Sequence, residues 1–476
     1  MTRSIRSLAI AVLGGLLAIA VWLTYQQAIA APGYADDPRN ARADRPPVDD
    51  ARGRIVTADG VVVAEDHPEG GRRHLGGSAY THLVGHDDLG VLGSWGLEAT
   101  RRHDLASRDD GSISAWLTEL FGGDLGPPDV RITVLDRVQR EAAHALGAQR
   151  GAVVALDPRT GAVIAAVSSP SFDVDDVATG ALTDEVVAAD PSHPDLDRTS
   201  DVVYPPGSTF KVVIAGAAID VLGETPSSTY DDATSVEIGG LSIANPGRRP
   251  CGSSATVTLA DALAGSCNTV FAELALQLGA HRVVEAAATA GFDAVPRWEL
   301  GAARSSLTDV DELAADPFAL ALTGIGERDV RTTPLHLALV AGAVANDGVA
   351  MQPYVVGSVV SPDDEAIETT RPEPWSTMMP AETAEALTDM MVGVVEAGTG
   401  RAAQLPGTTV AGKTGTAEGG GGPHAWFIGF APADDPSIAI AVLVEGGGRL
   451  GEDGTGGSVA APIAARVMAA WLEIAS

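Results

Sequence analysis

Strand-like segments in this chain fall into two groups, two before and three after a long helical stretch. That split constrains the fold more than any other feature. Residues 152–156 form an apolar strand, 157–161 (Asp-Pro-Arg-Thr-Gly) a turn, and 162–167 a second strand. Far downstream, residues 408–416, 425–430 and 438–444 read as three more strands. Residues 462–474 then carry Ile463, Val467, Met468 and Leu472 on one side of an amphipathic helix. Segregated strands and helices imply an α/β fold of the α+β kind: a five-stranded antiparallel sheet flanked by helices. Such a sheet closes only after the helical insert has folded, so residues 151–476 are expected to act as one unit.

The first half divides differently. Arg3 and Arg6 precede an apolar stretch that runs to Leu23, with Trp22 and Tyr25 near its outer end. A helix over 7–27 is long enough to cross a bilayer, with a short basic tail (1–6) on the cytoplasmic side and everything later outside. The alternative is a cleaved signal peptide, since Ala28-Ile29-Ala30 has the form of a cleavage site. Both put the body of the protein beyond the membrane. Residues 28–50, rich in Asp, Arg, Pro and Ala, read as a juxtamembrane linker. A separate region follows over 51–150. It starts with a strand, an Asp59-Gly60 turn and a second strand. Further on, a helical piece is expected over 113–121, a short strand at Ile132-Thr133-Val134, and a helix capped by Asp136. His82 and His86 are four apart without an acidic partner between them and suit packing better than a metal.

A net charge of −32 with no basic patch argues against nucleic acid as a partner. Export bears on the two cysteines, Cys251 and Cys267. A disulfide is the sensible pairing outside the cytoplasm, the alternative being two reduced thiols.

Of 31 basic residues only Lys211 and Lys413 are lysine. An amine can be tuned to lose its proton, whereas guanidinium stays charged. Lys211 lies three residues after Ser208 at the start of a helix, behind Tyr204-Pro205-Pro206-Gly207. Residues three apart share a helical face, so serine and amine point the same way, as nucleophile and base. Ser266 and Asn268 flank Cys267 after a helical pattern and can both enter a cleft from a loop. Lys413-Thr414-Gly415-Thr416 lies on a strand, where Gly415 permits close approach of a ligand and Thr416 can offer a backbone N–H to an oxyanion. Each pattern is weak alone.

Together, in this order, Ser-x-x-Lys, Ser-x-Asn and Lys-Thr-Gly are specific. With Tyr204–Lys211, Gly265–Thr269, Lys413–Glu418, His424-Ala425-Trp426-Phe427 and Arg52-Gly53-Arg54-Ile55, the chain resembles a class B penicillin-binding protein along nearly its whole length. Gly326 and Thr333-Pro334-Leu335 also resemble a family segment. Glu327 stands where many relatives carry glutamine, a change from which little is expected.

The resemblance implies a non-catalytic pedestal, or dimerisation, domain over 51–150 and a penicillin-binding transpeptidase domain over 151–476. It implies a membrane-bound D,D-transpeptidase acting outside the cell on peptidoglycan stem peptides ending in D-Ala-D-Ala, trapped by β-lactams, and working without cofactor or metal. In that scheme Ser208 attacks, Lys211 takes its proton, and Ser266 passes a proton to the leaving D-alanine. Asn268 binds the donor backbone, and Lys413, Thr414 and Thr416 hold its carboxylate. A separate membrane partner would polymerise the glycan. The alternatives are a D,D-carboxypeptidase or β-lactamase of the same fold, and a non-enzymatic β-lactam sensor.

Overall fold

The computed structural model describes residues 14–19, 22, 25, 51–68, 70–89, 92–106 and 126–475. Residues Met1–Ala51 and Arg52–Ser476 form two separate units. In the first, residues 14–19, 22 and 25 are helical and present Leu16, Leu17, Ile19 and Trp22 outward. The rest of the expected 7–27 helix, all of the 28–50 linker and the helix expected at 113–121 lie outside the described residues.

In chain order, the second unit begins with β1 (Ile55–Val56), β2 (Val62–Asp66) and β3 (Arg72–Arg73). It continues through β4 (Asp129–Ile132), α1 (Asp136–Leu146), β5 (Gly151–Leu156) and β6 (Val163–Ser169). The helical stretch holds α2 (Lys211–Ala217), a hairpin of β7 (Ser235–Ile238) and β8 (Leu241–Ala244), then α3 (Leu259–Gly265), α4 (Asn268–Thr289) and α5 (Pro334–Ala345). It closes with β9 (Val356–Val360), β10 (Ala366–Thr369), α6 (Ala381–Glu396), β11 (Ala411–Ala417), β12 (His424–Ala431), β13 (Ile438–Val444) and α7 (Ala461–Ala475).

The main sheet has five antiparallel strands in the order β11-β12-β13-β5-β6, so the two groups of strands do meet, through β13 and β5. Helices cover both faces. The alternation of side chains along each strand therefore divides residues between two cores and not between core and water. Val154, Leu156, Ala439, Ala441 and Leu443 enter the core on the α5 side. Val153, Ala155, Ile440 and Val442 pack with Val138 of α1 and Val467 and Met468 of α7. This is why β5 and β13 are apolar at nearly every position. Truncating the fully buried Ile440 to alanine is worth about 2–5 kcal/mol. Residues Gly456–Ala475 are long and apolar enough to cross a membrane. Their apolar side is already spent on this sheet through Ile463, Val467 and Met468.

A second sheet, ordered β10-β9-β4-β1-β2-β3, takes two of its six strands from residues 356–369. The sequence reading placed that segment wholly within the later unit. Val359 pairs with Val130, and Ile55 pairs with Val130 from the other side; all three are buried. Two local expectations are corrected. The strand expected at 132–134 lies at Asp129–Ile132, because beyond Ile132 the chain turns to the main sheet, where Thr133 Oγ1 donates to the Val163 carbonyl at 2.7 Å. Asp136 does not cap its helix but is its first residue. Its carboxylate accepts from the Tyr80 hydroxyl (3.0 Å) and Arg140 (2.9 Å) instead. His82 is buried and bonded to the Pro194 carbonyl, in keeping with packing.

Candidate active site

Ser208 sits in a short 3-10 turn, Gly207–Phe210, that runs directly into α2; the expected α-helical start is thus one tighter turn. Its backbone is clamped from two sides. The Gly207 N–H donates to the Gly326 carbonyl at 3.0 Å. Gly326 has φ +78°, and a Cβ there would lie 1.9 Å from the Gly207 oxygen, so only glycine fits. A Cβ on Gly415 would lie 2.8 Å from the Pro206 oxygen, so β11, the free edge of the main sheet, comes equally close. Trp426, fully buried on β12, donates from Nε1 to the Pro205 carbonyl (3.0 Å) and holds the segment entering the turn.

Lys211, on the first turn of α2, is completely buried. Its Nζ donates to the Ser266 carbonyl (2.8 Å), to Asn268 Oδ1 (2.7 Å) and, at 3.4 Å, to Ser266 Oγ. Lys413 is also completely buried, and its Nζ donates to Ser266 Oγ (3.0 Å) and to the Thr414 carbonyl (2.9 Å). Two amines from distant parts of the chain thus converge on one hydroxyl. Burial holds the Lys211 amine well below its ordinary range, and the nearby Lys413 charge lowers it further. Burial brings Lys413 down to about 7. Among the described residues no hydrogen bond joins Lys211 to Ser208; Ser208 opens into the cleft, while Lys211 lies buried behind Ser266 and Asn268, which line it.

Ser266 ends α3 in the left-handed conformation (φ +59°, ψ +43°), an arrangement that costs a non-glycine residue about 1 kcal/mol or more. That reversal lets α4 begin two residues on, with Asn268 as its first residue; α3 packs against α6, and α4 against α2. Asn268 is held at both ends of its amide: Oδ1 accepts from Lys211, and Nδ2 donates to the Ala244 carbonyl on β8 (2.8 Å). Cys267, between them, is joined to Cys251 by a disulfide.

Sequence reasoning missed Asn245. Its buried Oδ1 accepts from the backbone N–H groups of Asn268 (2.8 Å) and Thr269 (3.0 Å), and so caps α4 from a distant loop. Its Nδ2 donates to the carbonyls of Ala233 (2.9 Å) and Arg249 (3.3 Å). The one available signal was the turn-forming Asn245-Pro246-Gly247. Also missed was the support behind Tyr204, whose hydroxyl donates to Glu445 Oε1 (2.8 Å), itself paired with the buried Arg198.

Ser208, Ser266, Asn268, Thr414, Gly415 and Thr416 line one cleft of about 940 Å³. Thr414 Oγ1 lies 2.5 Å from Thr399 Oγ1, and Thr416 Oγ1 accepts from the Gly456 N–H at 3.3 Å. Glu327 and Glu418 border the same cleft. Burial, and then the Glu418 charge, push the Glu327 carboxyl up to about 7. A nucleophile-sized hydroxyl, an amine able to lose its proton, a polarised second hydroxyl and an edge strand suit acyl transfer to and from an extended peptide.

Comparison with known proteins places this geometry. The penicillin binding protein transpeptidase domain family matches residues 151–469. The chain is 38% identical over 498 aligned positions to the peptidoglycan D,D-transpeptidase PbpA of Mycolicibacterium smegmatis, with 99% of each chain covered. Its similarity to penicillin-binding protein A from M. tuberculosis, solved as a penicillin G acyl-enzyme complex, reaches a TM-score of 0.80 at 35% identity. That match covers 89% of this chain and all of the other. A D,D-transpeptidase domain from Eggerthella lenta gives a TM-score of 0.78 at 32% identity, covering 90% and 99%.

Proposed function

The chain belongs to the penicillin-binding protein transpeptidase family, and on that premise we propose that it is a serine-type peptidoglycan D,D-transpeptidase, acylated by β-lactams. The observation that carries the reading is the meeting of two buried lysines on Ser266 Oγ in the cleft that holds Ser208.

Lys211, neutral because it is buried beside another cation, takes the proton of Ser208. Ser208 Oγ then bonds to the carbonyl carbon between the two terminal D-alanines of a donor stem peptide. Backbone N–H groups of Ser208 and Thr416 face the oxyanion. Ser266, between the two amines, relays a proton to the nitrogen of the leaving D-alanine as its C–N bond breaks. Asn268 binds the donor's backbone. Lys413, with Thr414 and Thr416, receives its terminal carboxylate, and Gly415 leaves room along the strand. An amine from a second stem peptide attacks the ester, forms the cross-link and restores Ser208. The pair of residues 7–27 and 28–50 serves as anchor and spacer, the 51–150 region as pedestal, and residues 151–476 as the catalytic domain outside the membrane. A membrane-bound glycan polymerase is the expected partner.

Purified full-length protein in detergent, treated with penicillin G, should gain one adduct by intact mass, mapped to Ser208 and absent from Ser208→Ala. With a donor peptide and a labelled amine, cross-linked product should exceed hydrolysed product. An adduct on another residue refutes the nucleophile. Hydrolysis alone identifies a carboxypeptidase, and binding without turnover a sensor.

A further inference from the structure

The cleft is electrically two-sided. Lys413, and Lys211 once it has taken a proton, supply its cationic part around Ser266. Glu327 and Glu418 supply an anionic part, and both border the cleft that Ser208 opens into. Glu327 follows Gly326, whose carbonyl is bonded to the residue before the nucleophile, so this carboxylate is tied to Ser208 through two backbone steps. Glu418 follows the end of β11, two residues beyond Thr416. The Glu327 carboxyl lies near enough to Glu418 for that residue's charge and backbone N–H both to act on it.

Among the described residues no ion pair reaches either glutamate. The neighbouring cations are committed elsewhere. Arg328 is paired with Glu312, Asp316 and Asp329. Arg331 donates to the carbonyls of Arg328 (2.7 Å) and Val330 (2.9 Å). Lys211 donates to Ser266 and Asn268. Two carboxylates side by side in a cleft, without a counter-ion, leave a place for a cation. The donor peptide brings a carboxylate; the second substrate of the reaction brings an ammonium.

We propose that Glu327, assisted by Glu418, receives the ammonium group of the acceptor peptide and takes its first proton, so that the free amine can attack the acyl-enzyme. This rests on the transpeptidase reading above. The steps balance. The acceptor R–NH3+ gives one proton to the Glu327 carboxylate. The resulting R–NH2 bonds to the ester carbon of acylated Ser208. Its second proton passes to neutral Lys211 and from there to Ser208 Oγ as the ester C–O bond breaks. The amide is formed, the serine hydroxyl is restored, and the proton on Glu327 returns to solvent.

The charged groups facing Glu327 are Glu418, Lys211 and Arg331. A carboxyl held near neutrality can accept a proton from an ammonium at the working pH without being so weak a base that it never does. Below about pH 7 it is protonated and cannot act. Transfer should therefore rise with pH through that region. Removing the Glu418 charge should move the rise to lower pH, since that charge is one cause of the upward shift.

The test separates this step from acylation. Full-length enzyme is first converted to its acyl form with a D-alanyl thioester donor, with Ser208 labelling confirmed by mass. Its breakdown is then timed with two acceptors: D-alaninamide, largely an ammonium at neutral pH, and hydroxylamine, already neutral. In Glu327→Gln, transfer to D-alaninamide should fall at least tenfold and lose its rise near pH 7, while transfer to hydroxylamine changes less than threefold. In Glu418→Gln the rise should persist at lower pH. Equal losses with both acceptors, or an unaltered pH profile in both variants, overturn the proposal. Failure of the wild-type protein to take the label at Ser208 instead overturns the transpeptidase reading on which it rests.

Discussion

Replacing Asn245 with alanine should damage both stability and chemistry, although the residue belongs to none of the three motifs. Its Oδ1 serves two backbone N–H groups at the start of α4, and its Nδ2 two carbonyls, all with the side chain 2% exposed. Loss of a helix cap typically costs about 1 kcal/mol, and each buried group left unpaired about 1–3 kcal/mol before relaxation. Some of these groups will find water, so a net loss of roughly 2–4 kcal/mol is expected. At about 2 °C per kcal/mol for a large domain, the melting temperature should drop by ~4–8 °C. The kinetic effect is separate. Asn245 holds the first turn of α4, and that turn aims Asn268 Oδ1 at the Lys211 amine, 2.7 Å away. Loosening a hydrogen bond of this type is worth about 1.5–3 kcal/mol, or roughly tenfold to a hundredfold in rate. Stopped-flow acylation with a chromogenic cephalosporin, at a temperature where circular dichroism confirms the variant is folded, measures this directly. A variant that melts several degrees lower but acylates at the wild-type rate would refute the link between the cap and the base. An unchanged melting temperature would refute the energetic argument as well.

Three further outcomes follow from the same geometry. Lys211→Arg should nearly abolish acylation, since guanidinium cannot accept a proton near neutral pH, while Lys413→Arg keeps its charge and should lose less; acylation rates falling equally or in the reverse order would count against these roles. Reducing the Cys251–Cys267 disulfide, whose closed loop is about fifteen residues, should cost roughly 3 kcal/mol of stability and slow acylation by loosening Ser266 and Asn268; thiol titration of denatured, unreduced protein should find no free thiol. Lys413 is charged below about pH 7 and loses that charge above it, so affinity for ligands bearing a carboxylate should weaken as pH rises past 7, by up to tenfold per unit, while ligands without a carboxylate show no such loss on competition binding.

The parts of this molecule legible in the sequence are those in which pattern and position coincide. The strands at 151–169 and 424–444 announce themselves because both faces of the sheet are buried, which makes the runs apolar and hard to mistake. Lys211 and Lys413 stand out because arginine fills the other basic positions. What stayed hidden depends on contacts between distant segments. Asn245 reads as one more turn residue until α4 is laid beside it. Glu327 looks like a minor variation until Glu418 and the cleft give it a setting. Asp136 has the right identity for a cap, yet Tyr80 and Arg140 compete successfully for its oxygens. Nothing in residues 356–369 themselves says which of two sheets they will join. Their partner, Asp129–Ile132, is short and offers little of its own periodicity.

That last hairpin bears on how force travels through the protein. Were the N-terminal sheet built only from residues before 150, one length of chain would link it to the catalytic body, and it could swing like a bead on a cord. Because β9 and β10 leave the later unit, cross into the N-terminal sheet and return, the polypeptide passes between the two sheets three times. A pull applied near Arg52 is thus shared among three strands of chain instead of one. The two sheets should therefore move together as one body. The same crossing forbids a simple cut. A shortened protein beginning at Gly151 would carry β9 and β10 without the neighbour they pair with, leaving Val356 and Val359 on an open strand edge and prone to stick to one another.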